Sequence, residues 1–166
     1  MECSMATYLK IEGINGNVQS KNHKEWIELK SLNFAINRHI NTLPGQVYDR
    51  QLSRPSLSEI EVTKSIDNSS VLLFQASCSA KSIKTALIDL CQTNQSSNAY
   101  AQLKLENVIV TAYKLSDDSN RLDKRPVEHI KLSFDAIEYR YTPYSGTNKA
   151  MSPQSARYNL KTAVAG

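Results

Sequence analysis

Five glycines in 166 residues leave little material for a phosphate-cradling loop. Neither Gly-x-x-x-x-Gly-Lys-Ser/Thr nor Gly-x-Gly-x-x-Gly occurs, so nucleotide chemistry has no seat in this chain. Cysteine is equally scarce. Cys3, Cys78 and Cys91 are odd in number and lack paired Cys-x-x-Cys spacing, which argues against zinc and disulfide frameworks and for thiols in a reducing compartment. No apolar run approaches the roughly 18 residues that cross a bilayer. The opening residues, with Glu2, carry no apolar stretch of the signal-peptide kind, so the expectation is a protein that starts in the cytoplasm, has no cleaved leader and makes no stable membrane insertion.

Catalytic constellations are missing as well. No Gly-x-Ser-x-Gly elbow is present, and His23, His39 and His129 never fall at i, i+2 or i, i+4, so no single element supplies a base beside a nucleophile or a metal-ligand pair. Glu59 with Glu61, and Asp135 with Glu138, have the spacing of paired carboxylates, but solvated strand faces explain them more simply than a glycosidase cleft. No catalytic, cofactor-binding or metal-ligating residue is expected. The formal charge of +4 is spread among acidic neighbours, and the densest basic stretch, Arg121 to Arg125, contains Asp123 and lies beside Asp117 and Asp118. That pattern is a solvated surface and not a nucleic-acid footprint. Tyr139 and Tyr141 alternate with Glu138 and Arg140, which favours a place at a core edge or interface over base stacking.

What the chain does have is short-range alternation. Leu9 and Ile11, Ile27 and Leu29, Ile60 and Val62, Leu103 and Leu105, and Leu132 and Phe134 recur with the period of half-buried strands. Two runs change phase: Ile27 and Leu29 give way to Leu32, Phe34 and Ile36, and Leu132 and Phe134 give way to Ile137, Tyr139 and Tyr141. Each change implies a bulge or a change of face, as barrels use to bend strands. One helix is expected at about residues 68–77, with Asp67 or Ser69 as its cap. Polar stretches at 93–98 and 116–126 predict hairpin connections, and Tyr158-Asn159-Leu160 predicts a last strand. The fold class is therefore mainly β: a small β-barrel of two packed antiparallel sheets with one short flanking helix, in a single domain over residues 1–166.

Between about 41 and 58 the alternation disappears, and Pro44-Gly45 and Pro55 predict a long extended loop. Leu43, Val47, Tyr48, Leu52 and Leu57 make it too apolar for a free linker. They are the candidate contact residues, packing either on a neighbouring surface or back over the chain's own barrel.

Several blocks, taken in order, resemble the haemolysin-coregulated protein (Hcp) family, the tube subunits of bacterial type VI secretion systems. They are the opening Leu9-Lys10-Ile11-x-Gly13-Ile14-x-Gly16, the His23-Lys24 pair before a strand near Trp26, and Ile60-Glu61-Val62-Thr63-Lys64 leading to Asp67-x-Ser69-Ser70-x-Leu72. Glu138-Tyr139 to Thr142-Pro143, and Tyr158-Asn159-Leu160-Lys161, complete a likeness that runs from about Ala6 to Lys161. The chain departs from it in the loop, where many relatives are glycine-rich and this sequence has Pro44, Tyr48 and Pro55. The resemblance implies homohexameric rings stacked into a hollow tube that leaves the cell through the type VI apparatus. A spike protein, a contractile sheath and small effectors in the lumen would be its partners, and no catalytic residue or cofactor comes with it. The rival classes are a nucleic-acid or ligand-binding barrel without catalysis and a carbohydrate-active enzyme.

Overall fold

The computed structural model describes residues 5–41, 51–52, 54–92, 98–118, 122, 125–147 and 149–166. Its strands are β1 (Met5–Ile11), β2 (Ile27–Leu29), β3 (Ser31–Asn33), β4 (Ile36–Asn37), β5 (Ile40–Asn41), β6 (Gln51–Leu52), β7 (Ser56–Leu57) and β8 (Ile60–Ser65). After the helix α1 (Ser70–Ser79) come β9 (Ile83–Gln92), β10 (Ala99–Ser116), β11 (Val127–Ser133), β12 (Ala136–Tyr141), β13 (Gln154–Asn159) and β14 (Val164–Ala165). All pairings are antiparallel.

One sheet runs β2-β1-β9-β10-β12-β13-β14 and the other β10-β11-β8-β3, so β10 belongs to both. Its alternation explains how. Ala101, Leu103 and Leu105 are buried, then Val108 and Val110, so the inward phase slips by one residue at Asn107. Asn107 has φ +51°, a left-handed conformation that Asn tolerates better than other side-chain-bearing residues. The slip keeps apolar side chains inward while the strand passes from one sheet to the other. A register shift between Val110 and Ala112 adds a bulge just beyond it.

Both phase changes in the sequence are changes of sheet. Leu29 ends β2 in the first sheet, and after Lys30 the chain enters β3 in the second, with the Lys30 N–H donating to the Thr63 carbonyl. Phe134 and Asp135 form the corner from β11 to β12. The expected barrel takes the form of two sheets that share β10 and meet again at Lys30. Because the ladder breaks at that corner, it is not a continuously closed barrel.

The core lies between the sheets, with Leu9, Ile27, Ile60, Val62, Ile88, Leu105, Ile130 and Leu132 fully or almost fully buried. Leu73 and Ala76 of α1 close it. Each such aliphatic side chain contributes about 1.5–3 kcal/mol relative to its exposed state. The helix begins and ends two residues later than the expected 68–77. Ser69 makes no side-chain cap bond. Asp67 does that work, since its Oδ1 accepts the Ser69 N–H at 2.9 Å. At the other end Ala80, at φ +49°, turns left-handed and stops the helix.

The expected loop at 41–58 is, in its described parts, one limb of a β-hairpin arm. Ile36 and Asn37 pair with Leu57 and Ser56, and Ile40 and Asn41 pair with Leu52 and Gln51. Short pairs of residues joined by unpaired ones give no sustained alternation, so the pattern looked irregular.

β1 and β2 form the opening hairpin, with Thr7 opposite Leu29, joined by a long connection folded onto itself. Gly16 donates to the Glu25 carbonyl at 2.8 Å, and Val18 to that of Trp26 at 3.1 Å. A Cβ on Gly16 would lie 2.4 Å from the Trp26 carbonyl oxygen and 2.8 Å from the Ile27 Cα. Gly16→Ala is therefore expected to destabilise the protein by about 2–3 kcal/mol in urea denaturation, since only backbone displacement relieves the clash.

Candidate functional site

Two buried polar clusters and the hairpin arm are the places where function would be sought. The first cluster follows from alternation. Lys64 continues the inward phase of Ile60 and Val62, and Glu128 that of Ile130 and Leu132, and the two stand directly opposite in the β8–β11 ladder. Both side chains are fully buried. The Lys64 Nζ donates to Glu128 Oε2, pairs with Asp67 Oδ1 at 2.7 Å and reaches Ser70 Oγ at 3.3 Å. Ser70 Oγ donates to Glu128 Oε2 at 2.9 Å and accepts the Asp67 N–H at 2.9 Å. Tyr113 Oη donates to Glu128 Oε1. Burial first, then the hydrogen bond and charge of Glu128, push the Tyr113 hydroxyl up to about 12.

This hub ties β8, β10, β11 and the start of α1 together. It is chemically closed, because every member is held by another and the ammonium is enclosed between two carboxylates. The arrangement can orient elements, and it offers no reacting atom to a substrate.

The second cluster lies on the outer face of the first sheet. Register places Glu28, Tyr8, Asp89, Gln102, Arg140 and Ser155 in one row across β2, β1, β9, β10, β12 and β13. The β1–β2 connection folds His23 over this row. His23 stacks on Tyr8 with ring centroids 4.6 Å apart and meets Trp26 edge-on at 4.7 Å. Its Nε2 lies 2.9 Å from Asp89 Oδ2 and 3.8 Å from Cys91 Sγ, while Gln102 Nε2 donates to Asp89 Oδ1 at 2.6 Å. Lys10 Nζ sits 5.8 Å from the Trp26 ring centroid, within reach of a cation–π attraction.

Cysteine, histidine and aspartate within contact resemble a thiol triad in composition only. A working triad uses one imidazole nitrogen for the nucleophile and the other for the acid. Here thiol and carboxylate approach the same nitrogen, and the buried Nδ1 has no hydrogen-bond partner among the described residues. Burial, then the Asp89 charge, raise the Cys91 thiol to about 11, the opposite of what a nucleophile needs. His23 and Trp26 hold the connection down on the sheet.

Of the expected contact residues, Leu43, Val47 and Tyr48 lie outside the described residues, and Leu52 is placed through its backbone alone, in β6. Leu57 is half-buried against the protein's own core. The described arm exposes Ile36 and Ile40 instead, two residues that sequence reasoning read only as strand signals or not at all. Among the described residues no group of three or more His, Cys, Asp or Glu could hold a metal ion, and no helix is long and apolar enough to cross a membrane.

The profile of the family described as "Type VI secretion system effector, Hcp" matches residues 8–141. The chain belongs to the Hcp family. The fold agrees with solved structures of Hcp and related secretion proteins. A type six secretion system protein is 23% identical with a TM-score of 0.91, covering 98% of this chain and 100% of that one. Hcp1 of Salmonella typhimurium is 22% identical with a TM-score of 0.79, over 98% and 99% of the two chains. A type VI secretion system effector from Yersinia pestis is 24% identical with a TM-score of 0.72, over 92% and 98%. No curated protein matches. Within this Hcp fold the Lys64 hub joins β8 to α1 through Asp67 and Ser70, the block on which the sequence resemblance partly rested.

Two outcomes are expected. Lys64→Met alone should cost about 3–5 kcal/mol in denaturant unfolding, because it leaves the buried Glu128 carboxylate without a cation, whereas Lys64→Met with Glu128→Leu should recover most of that loss. For the thiols, peptide mapping after alkylation near neutral pH should find Cys78 labelled and Cys91 unlabelled, given the exposure of the first and the thiol value of about 11 for the second. Cys91 should label only on unfolding or as pH rises towards that value.

Proposed function

We propose that this chain is a structural subunit of the type VI secretion tube. It assembles into homohexameric rings that stack into a hollow tube, and it leaves the cell with that tube. The family match over residues 8–141 carries the reading, and the fold likeness to Hcp1 supports it. Both clusters point the same way, since each spends its polar groups on holding strands and helix in place.

In this reading a contracting sheath drives the tube, a spike protein caps it, and small effectors travel in the lumen. The outer face of the first sheet suits a wet wall. Besides the row through Asp89, register aligns Lys10, Leu87, Lys104, Glu138 and Arg157 across β1, β9, β10, β12 and β13. Such a mixed-charge surface stays hydrated and can hold passing proteins weakly. The subunit itself performs no catalysis in this scheme. Leu43, Val47, Tyr48, Leu52 and Leu57 are in this reading the candidate contact residues towards an adjoining subunit or ring.

The arm can be removed cleanly on paper, because the Ser58 N–H already donates to the Ala35 carbonyl at 2.9 Å and closes its base. Light scattering and electron microscopy of the unmodified protein should show a hexamer mass and stacked rings. Replacing residues 36–57 with a short glycine linker should leave a folded protein that no longer stacks. A monomer that binds single-stranded DNA would instead support the rival binding barrel, and tubes that form without the arm would remove it from the assembly contacts.

A further inference from the structure

The connection between β1 and β2 is built differently from the sheet it covers. The N–H groups of Gly16, Val18, His23, Glu25 and Trp26 donate to the carbonyls of Glu25, Trp26, Ser20, Val18 and His23, in that order. Residues 16–26 thus satisfy much of their backbone among themselves and fold into a compact unit, tight enough to leave no space for a Cβ at Gly16. What fastens this unit to the first sheet is side-chain contact: His23 on Asp89 and Tyr8, and Lys10 over the Trp26 ring. Asn17 and Asn22 add two exposed hydrogen bonds of 3.3 Å, one from the Asn68 N–H and one to the Asn98 side chain. Segments held mainly through side chains open at a lower free energy than the ladders beneath them.

Two features work against the closed position. Glu25 has φ +65°, a left-handed conformation that a residue with a Cβ adopts only at a cost. His23 is 2% exposed, and its Nδ1 is the orphaned polar atom of the cluster, which water would satisfy in an open form. Closure therefore rests on few contacts. The strongest by chemistry is the one between His23 Nε2 and the Asp89 carboxylate, at 2.9 Å.

Strand β9 shows what closure hides. Thr85, Leu87, Asp89 and Cys91 share its outer face by alternation. Along that face only Asp89 and Cys91 are buried, at 7% and 1% exposure. Both lie against His23, with the Cys91 Sγ 3.8 Å from Nε2. Lifting residues 16–26 uncovers a carboxylate, a thiol and the Tyr8 ring side by side, and it leaves the ladders of both sheets as they are.

We propose that residues 16–26 are a strap that opens as one unit while both sheets stay folded, with His23 on Asp89 as its latch and Cys91 as the group it shields. The strap is a property of the single chain and does not depend on the ring-and-tube reading.

Hydrogen exchange of the unmodified protein is the first test. The amides of Gly16, Val18, His23, Glu25 and Trp26 should share one protection with little dependence on denaturant, while those of the β1–β9 ladder exchange far more slowly and respond steeply to it. His23→Ala, once circular dichroism has shown it folded, should speed strap exchange by at least about tenfold. The same variant should be alkylated at Cys91 near neutral pH at least about tenfold faster than the unmodified protein, with Cys78 as the internal reference. Asp89→Asn should speed the exchange in the same direction, and it serves as the latch test if His23→Ala does not fold. Glu25→Gly removes the left-handed cost and should slow the exchange severalfold. Strap amides that exchange only together with the β1–β9 ladder overturn the proposal. Exchange and Cys91 alkylation that stay unchanged in a folded His23→Ala protein overturn it equally.

Discussion

A fully buried lysine has to be answered, and the arrangement of this protein follows from how Lys64 is answered. Its ammonium cannot remain in an apolar core without anionic and hydrogen-bonding partners. The partners come from three directions: Glu128 across the ladder on β11, Asp67 in the turn after β8, and Ser70 in the first turn of α1. Tyr113 on β10 then fixes the second oxygen of Glu128. Apolar residues would hold these elements together as strongly or more so, but with less directional demand. The ion cluster sets where the helix starts, and hence which of its apolar side chains close the core and which remain outside.

The second constraint is that two sheets must share strands while keeping every apolar face inward. The chain meets it at three corners, each with its own local device. Asn107 supplies a left-handed residue within β10, Lys30 divides β2 from β3, and Phe134-Asp135 divides β11 from β12. At the last corner the Asp135 N–H donates to the Glu106 carbonyl at 2.9 Å, and Asn107 Nδ2 donates to its carboxylate at 3.0 Å. Lys161 adds a hydrogen bond that, ahead of the opposing effect of desolvation, holds Asp135 below the usual carboxylate range. Two of the three sheet crossings are thereby tied to each other.

Much of this could be read from residue order. Period-two alternation located β1, β2, β8, β10, β11 and β12, and the phase slips at Lys30 and near Phe134 marked the sheet changes, because a strand that keeps its core face must shift register when it changes sheet. The arm was harder. Two-residue pairings such as Ile36 with Leu57 are too short to show a period, and prolines nearby suggested irregular chain. The hub was legible and overlooked: Lys64 and Glu128 occupy inward positions of otherwise apolar strands, a pattern that calls for a buried pair. Nothing in the local sequence around His23 names Asp89, since their contact depends on how the β1–β2 connection folds back over the sheet.

The pairing of β1 with β9 has a consequence for the order in which the chain can become structured. Met5 finds its ladder partner in Gln92, and Ile11 finds Ala86, so during synthesis β1 waits for a strand beyond the arm and the helix. β9, β10 and β12, by contrast, are neighbours in space and close along the chain, with β11 joined to β10 by a hairpin. Until β9 is made, β1 has only the short β2 as a ladder partner, and such long-range closures are slow because chain entropy is lost before contact is gained. Nascent chains must therefore stay out of aggregates with β1 unpaired, and the polar alternation of Tyr8, Lys10 and Glu12 with its apolar residues serves that interval as well as the finished sheet.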